Sequence, residues 1–319
     1  MAVWKRMTDP DAGFTYGLSD SLSILENVHP CSLFPPTDGV MVIGSDYSGQ
    51  HKGAAHEAYS FVISTMSAIA DWEPSRLAFR QQWLTDGRRM SFKQLRDAVR
   101  WQALVPFLES ACTLRGNLVT VLLSRRIPTF IEGGADLLLK ALPVWFPPNT
   151  PVNTVEKMYV LASLLAMIVG GLRCEQQSSL WISDHDEALD TNDKRESFAV
   201  MLSHLIYGVT KWKDPATILF GTTGLPSAPP WAEDFAAIPD LMAGTFCKLG
   251  GLLPTFEGNK HWIRTIPSHL AEDKRAKAVA EWLQTRRGDM RHVLLRLEPD
   301  HNANVRASAQ CFGELPSHT

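Results

Sequence analysis

Three acidic sites in this chain carry the side chains best suited to hold a divalent metal ion. Asp46 and Asp184 each follow a run of apolar residues, and Asp240 lies among small residues. Carboxylates that meet at one edge of a sheet repel one another unless one is protonated or a cation such as Mg²⁺ or Mn²⁺ binds between them. A metal held in this way could activate water for phosphodiester hydrolysis.

Asp46 follows a predicted buried strand, Val40–Ile43, at a point where the backbone turns. Gly49 and Gly53 supply a tight hairpin, and the next apolar run, Tyr59–Ile63, predicts the second strand. The alternative is that Asp46 begins an Asx-turn by accepting hydrogen bonds from nearby backbone amides. This stretch alone leaves both interpretations open.

The second acidic site is the sequence Asp184-His-Asp186-Glu187, after the predicted strand Ser178–Ser183. If the strand continues, alternation places Asp184 and Asp186 on one side of the sheet. Both are candidate metal ligands, and Asp184 is preferred because it is nearest the apolar run. The alternative is a solvated acidic turn that caps the helix beginning near Thr191.

Asp240 is surrounded at helical spacing by alanines, Gly244 and Cys247. A helix face made of small residues approaches its neighbour closely, which favours Asp240 pointing toward the sheet. The alternative starts from Pro239, which suits the first position of a helix. An acidic residue in a first helical turn is favoured by the macrodipole without any catalysis.

The overall charge excludes one class of protein. The 319 residues carry a formal net charge of −3 and a pI near 6.4, unlike a non-specific nucleic-acid binder with a strong positive field. RNA or DNA must therefore be contacted by local basic groups. Lys93, Arg125 and Arg126 are the candidate phosphate contacts, although basic clusters are also typical of solvated surfaces.

Cysteine spacing and missing motifs exclude further classes. The five cysteines include no Cys-x-x-Cys pair, which disfavours structural zinc and a disulfide framework and favours a reducing cytoplasm. The apolar run Tyr159–Leu172 is shorter than the roughly 18 to 20 residues that cross a bilayer, so a buried core helix and no membrane partner are expected. No secretory signal is predicted at the start of the chain. Serine-esterase elbows, phosphate-binding loops and zincin His pairs do not occur.

The order of predicted elements indicates an α/β fold with a mixed sheet. An irregular N-terminal arm is expected over 1–38, a core domain over 39–255, and a C-terminal helical and strand appendage over 256–319. The remaining predicted strands are Arg88–Leu95, which carries Lys93, Asn117–Leu123, Thr217–Phe220 and, in the appendage, His292–Leu297. The predicted helices are Ser75–Leu84, Asp97–Leu114, Glu132–Leu142, Val152–Leu172, Glu196–Tyr207, Phe235–Leu249 and Ser268–Arg286.

The motifs around Asp46, Asp184 and Asp240 resemble ribonuclease H-like proteins over roughly residues 39 to 250. The chain is particularly similar to a bacterial family, domain of unknown function 3800, whose members open with Asp-Glu-Ser-Gly and end their core with an Ala-Asp-Leu-hydrophobic-Ala-Gly helix. The corresponding segments here are Asp46-Tyr-Ser-Gly49 and Asp240-Leu-Met-Ala-Gly244. The resemblance implies a five-stranded mixed sheet flanked by helices and a two-metal nuclease centre, with Asp46 and Asp240 as ligands.

Three departures from that pattern keep a second hypothesis open. Tyr47 replaces the Glu of the opening motif, and the predicted fourth strand ends in Ser124-Arg125-Arg126 without the acid that many ribonuclease H-like nucleases place near there. Asp184, on the predicted fifth strand, would lie one strand farther from Asp46 than the usual ligand. The leading hypothesis is a Mg²⁺- or Mn²⁺-dependent nuclease with catalytic Asp46, Asp184 and Asp240. The alternative is a catalytically degenerate binding or assembly subunit whose arm and appendage contact a protein partner.

Overall fold

The structure is a computed structural model that describes residues 3–312 with short gaps. The gaps are 31, 52, 148, 185–186, 213–216, 224–227, 254–265, 267–268, 270, 286–287 and 301. Within the described residues, strands and helices alternate along most of the chain. The α/β class predicted from the order of elements is therefore confirmed.

The strands form one mixed, seven-stranded sheet in the order β5-β4-β1-β2-β3-β6-β7. Strands β1, β2 and β3 are an antiparallel meander, while β4 and β5 run parallel to β1 on its other side. Strand β6 pairs parallel to β3, and β7 returns antiparallel to β6. The strands are β1 Met41–Ser48, β2 His56–Thr65, β3 Gly116–Ser124, β4 Ser179–Ser183, β5 Ile218–Thr222, β6 Met290–Pro299 and β7 Val305–Phe312.

The prediction of five strands is corrected to seven in the described part of the chain. Strand β6 was expected in a separate appendage, but it extends the same sheet beyond β3. Strand β7 was not predicted, because its sequence Val-Arg-Ala-Ser-Ala-Gln-Cys-Phe contains mainly small and polar residues and lacks the β-branched run that marks a strand.

Helices cover both faces of the sheet and create two hydrophobic cores. Helices α1, α4, α5 and α6 pack on one face, and α2, α3, α7 and α8 on the other. Alternation in β1 divides the strand between the cores, since Met41 and Ile43 enter the first and Val42 enters the second. The helices are α1 Phe14–Val28, α2 Met66–Trp83, α3 Ala98–Cys112, α4 Ala135–Ala141, α5 Val152–Leu172, α6 Asn192–Thr210, α7 Pro230–Leu249 and α8 Lys274–Thr285.

Helix α5 has the bounds predicted from the sequence. It is long and apolar enough to cross a membrane by length and composition alone, yet 83% of its most apolar window is buried inside the protein. Its side chains fill the first core between α1 and α6. This placement agrees with the interpretation of the run as a core helix.

The prediction of a strand at Arg88–Leu95 is wrong. This stretch is coil followed by a single 3₁₀ turn, Phe92–Gln94, so Lys93 lies in a turn. Arginine side chains, instead of a neighbouring strand, bond its backbone: Arg80 Nη1 donates to the carbonyl of Arg88, and Arg100 Nε to that of Arg89, both at 2.7 Å. The strand at Ser179–Ser183 is consequently the fourth strand of the chain.

The N-terminal segment 1–38 is not irregular throughout, because it contains helix α1. Leu18, Leu22 and Leu25 recur at helical spacing and are fully buried. They pack in the first core, and α1 contacts β7. The turn-forming residues at both ends of the segment concealed this periodicity in the sequence. The division of the chain into three parts stays a prediction.

Candidate carboxylate centre

Asp46 lies inside β1, which continues to Ser48, and pairs with Ser60 of β2. Alternation places Asp46 on the same side of the sheet as Val42 and Gly44, facing α7. Glycine at position 44 allows α7 to pack closely on β1, because a Cβ there would lie 2.8 Å from the ring of Phe235 in α7. The strand therefore presents its carboxylate beneath a closely packed helix.

Asp184 directly follows β4, which pairs with β1, so the prediction that it lies one strand farther away is wrong. Gly44 is opposite Ile182 in the register, and the amide of Asp184 donates to the carbonyl of Ser45 at 3.3 Å. The same register, two residues farther along each strand, therefore places Asp184 beside Asp46. Because Arg88–Leu95 is not a strand, the fourth strand of the chain is Ser179–Ser183 and not Asn117–Leu123. Asp184 is therefore an acid directly after the fourth strand, where the sequence analysis found none.

Asp240 lies deep within α7, not in its first turn. The helix begins at Pro230, so Asp240 is about three turns from the N-terminus, and Pro239 is inside the helix. The macrodipole alternative is therefore excluded. Asp240 is buried, and its Oδ2 accepts a hydrogen bond from the backbone N–H of Phe92 at 2.8 Å.

Gly244 explains the small residues that follow Asp240. One helical turn separates the two residues, and a Cβ on Gly244 would lie 2.3 Å from the ring of Phe92. The missing side chain lets the turn at Phe92 settle against α7 and direct its amide at Asp240. On its outer side, Arg275 lies 4.7 Å from the ring of Phe92.

The three carboxylates influence one another directly. The pKa of Asp46 is well above its usual range, chiefly because the side chain is buried. The charge of Asp240, its hydrogen bond with Asp46 and the charge of Asp184 raise that pKa further, while the amide of Tyr47 opposes them. That amide donates to Oδ1 of Asp46 at 2.8 Å. Three acids from β1, the end of β4 and α7 thus form one electrostatic cluster, which we call the carboxylate centre.

Arg89 supplies a positive charge to the carboxylate centre. Its Nη1 and Nη2 reach Oδ1 and Oδ2 of Asp184, each at 2.7 Å. Thr223 Oγ1 also donates to Oδ1 of Asp184 at 2.7 Å. Burial lowers the pKa of Arg89, but Asp184, together with the charges of Asp240 and Asp46, outweighs burial and raises it. Sequence reasoning missed this role because Arg89 was placed in the predicted strand Arg88–Leu95, away from Asp184.

A buried ion pair fixes α7, and with it Asp240, to the neighbouring helix. Asp234 is fully buried and accepts from Arg76 Nη1 at 2.8 Å and from Arg80 Nε at 2.9 Å. Arg80 also holds the carbonyl of Arg88, so one side chain connects α7 to the segment that carries Arg89. The position of Arg89 is therefore set by the fold around it.

The predicted phosphate contacts differ in their surroundings. Lys93 is exposed and follows Phe92, the donor to Asp240. Arg125 and Arg126 follow β3, which β2 separates from β1. Arg125 donates to the carbonyls of Gly49 and His51 at 3.2 and 2.7 Å, so it braces the β1–β2 hairpin, while Arg126 is exposed. The candidate ligand Asp186 lies outside the described residues.

The described residues contain no ready-made group of three or more His, Cys, Asp or Glu side chains that could hold a metal. Asp184 is already engaged by Arg89 and Thr223. Asp46 and Asp240 are less fully engaged: among the described residues each accepts one backbone N–H, and the two carboxyl groups share a hydrogen bond. These two carboxyl groups are the candidate metal ligands of the centre.

Comparison with known proteins gives little further information. No protein-family profile matches the chain, so the similarity to domain of unknown function 3800 gains no support, and no curated protein matches it. Among solved structures, it is similar to the ribonuclease H2 from Pyrococcus horikoshii OT3, with 11% identity and a TM-score of 0.34. That match covers 69% of this chain and 82% of the other, and at such a low score it supports no argument about function.

Proposed function

We propose that this protein hydrolyses phosphodiester bonds of RNA or DNA in a Mg²⁺- or Mn²⁺-dependent reaction at the carboxylate centre. The observation that carries the proposal is the meeting of Asp46, Asp184 and Asp240 on one side of the sheet. The mixed sheet with helices on both faces also supports a ribonuclease H-like architecture.

The donor set fits a divalent cation. Among the described residues, three carboxylates face the guanidinium of Arg89, so two negative charges there exceed the positive charge when all three acids are ionised. Burial is the main cause of the raised pKa of Asp46, and the charges of Asp240 and Asp184 raise it further, so a proton is favoured there where no cation is bound. Mg²⁺ and Mn²⁺ prefer carboxylate oxygens, and Asp46 and Asp240 would hold the ion.

The surrounding residues would hold the centre in place during the reaction. A bound divalent ion supplies charge stabilisation at the phosphate and lowers the pKa of water. The amide of Tyr47 orients Asp46, the amide of Phe92 orients Asp240, and Arg89 orients Asp184. Such fixed hydrogen bonds pre-organise catalytic groups. Exposed Lys93, next to Phe92, would contact a flanking phosphate.

Arg125 and Arg126 have different proposed roles in substrate binding. Arg126 is exposed and would contact phosphates farther along the nucleic acid. Arg125 would act mainly through the hairpin carbonyls that it holds. A reducing cytoplasm is the proposed location, in agreement with the free thiols of Cys112, Cys174, Cys247 and Cys311.

One observation favours a second function, that of a catalytically degenerate binding or assembly subunit. Arg89 already provides a cation at Asp184, and a proton on Asp46, whose pKa is raised, would leave one unpaired negative charge, so the centre would persist without a metal. In that case the basic residues near the centre would bind nucleic acid without cutting it, and a protein partner would contact the N-terminal segment or the C-terminal strands.

Calorimetry with Mn²⁺ and a cleavage assay on labelled RNA and DNA decide between the two functions. The nuclease proposal expects Mn²⁺ binding and cleavage in the wild type, and loss of both in Asp46→Asn and Asp240→Asn. Asp136→Asn is the matched control, because Asp136 is exposed on α4, across the sheet. A wild type that binds nucleic acid, but neither Mn²⁺ nor any cleavable substrate, would assign the protein to the binding class.

A further inference from the structure

We infer that Arg89 permanently occupies the second cation position of the carboxylate centre, so that the centre takes one divalent ion instead of two. Asp46 and Asp240 hold that ion, while Asp184 is reserved for the guanidinium. The inference rests on the proposed function and makes it more specific, because the resemblance to ribonuclease H-like proteins implies a two-metal site.

The first support is the geometry at Asp184. Arg89 Nη1 donates to Oδ1 of Asp184 at 2.7 Å, and Nη2 lies 2.7 Å from Oδ2 as an ion-pair contact without a hydrogen bond, so a charge-assisted bond and a second close charge contact engage both oxygens. Thr223 adds a third contact, to Oδ1. A metal ion that used Asp184 as a ligand would have to displace these donors and lie beside a positive charge.

The second support is the way in which Arg89 is held. Arg100 Nε binds the backbone carbonyl of Arg89 itself, and Arg80 binds that of Arg88. Three residues after Arg89, the amide of Phe92 is bonded to Asp240 and its carbonyl accepts from Arg275. Arg89 is therefore delivered by an anchored segment, unlike a surface arginine whose side chain samples many positions.

The third support is charge balance. With Arg89 in place, the centre lacks two positive charges, which one divalent ion supplies. Two divalent ions together with Arg89 would leave the site with excess positive charge in a partly buried position, where unbalanced charge is costly. Removing the charge of Arg89 should therefore open the position at Asp184 to a second ion.

The test counts Mn²⁺ ions bound per chain by calorimetry on the full-length protein. About one ion is expected in the wild type, and about two in both Arg89→Leu and Arg89→Gln. Arg89→Gln keeps a hydrogen-bond donor for Asp184 without its charge. Arg89→Lys keeps the charge and should stay at about one. Arg88→Leu is the matched control, because Arg88 pairs with Asp86 and Asp97 outside the centre, and it should also stay at about one.

Electron paramagnetic resonance adds a readout independent of activity, since two neighbouring Mn²⁺ ions couple and a single ion does not. Two ions in the wild type would overturn the inference while leaving the metal-dependent proposal intact. One ion in well-folded Arg89→Leu and Arg89→Gln would overturn it too. No Mn²⁺ binding in the wild type would refute the proposed function itself, and the inference with it.

Discussion

Replacing Gly244 by alanine should destabilise the protein, although alanine favours a helix. The new Cβ would lie 2.3 Å from the ring of Phe92, whereas carbon atoms normally stay about 3.5–4.0 Å apart. The turn at Phe92 would have to retreat by more than 1 Å on that scale, and its amide would lose the 2.8 Å bond to Asp240.

The magnitude follows from three contributions. Overpacking costs about 1–3 kcal/mol, and loss of a hydrogen bond to a charged group costs about 1.5–3 kcal/mol. Helix propensity returns about 1 kcal/mol. We therefore expect Gly244→Ala to lower the free energy of unfolding by roughly 1.5–5 kcal/mol, measured by urea unfolding followed by circular dichroism.

Gly208→Ala is the matched control within α6. Apart from its chain neighbours and the backbone of its own helix, no atom of the described residues lies within 4 Å of the position of its Cβ, so the substitution should raise the free energy of unfolding by up to about 1 kcal/mol. The two variants thus have opposite expected signs for the same chemical change. If Gly244→Ala were as stable as Gly208→Ala, the proposed contact between Phe92 and α7 would be wrong.

Three further changes have directions fixed by the structure. The contribution of Asp46 to the stability of the metal-free protein should fall as the pH rises, because burial, Asp240 and Asp184 raise the pKa of Asp46 above 3.8. The folded state then binds the proton more tightly, so the contribution is complete below that ordinary value and is lost as the pH passes the folded pKa. Asp234→Ala should cost about 3–5 kcal/mol in urea unfolding, because it leaves the guanidinium groups of Arg76 and Arg80 buried without their shared carboxylate. Lys93→Ala should weaken nucleic-acid binding and lower the salt dependence of log K by about one unit, if Lys93 contacts one phosphate.

Each of these three predictions is checked against a control variant. Asp46→Asn should abolish much of the pH dependence, and an unchanged slope would show that Asp46 is not its source. Glu73→Ala removes the more exposed partner of Arg76 and should cost under about 1 kcal/mol; equal losses from Asp234→Ala and Glu73→Ala would contradict the importance of burial. Lys140→Ala on α4, across the sheet, should leave the salt slope unchanged.

The carboxylates were predictable because each lies next to a strong local pattern. Apolar runs in the sequence predicted strands β1 and β4. The small residues around Asp240 predicted which side of α7 faces the sheet. Their convergence depended on which strands neighbour each other, and that could not be derived once Arg88–Leu95 had been counted as a strand.

Arg89 was beyond sequence reasoning for a physical reason. Apolar residues at Met90, Phe92 and Leu95 resemble a strand, but the backbone of this stretch is bonded by side chains of three helices, α2, α3 and α7, that lie 8, 11 and 148 residues away in the sequence. Local periodicity contains no information about such partners. Strand β7 was missed for the related reason that pairing with β6, and not its own composition, makes it a strand.

The packing of α1 on β7 has a consequence for how the chain folds during synthesis. Helix α1 ends at Val28 and β7 begins at Val305, so these packing partners come from opposite ends of the described part of the chain. Until β7 has been synthesised, the leucine face of α1 lacks its final cover, and contacts that span so much of the chain are slow to close. The packing of α1 on the sheet is therefore expected to be a late step of folding.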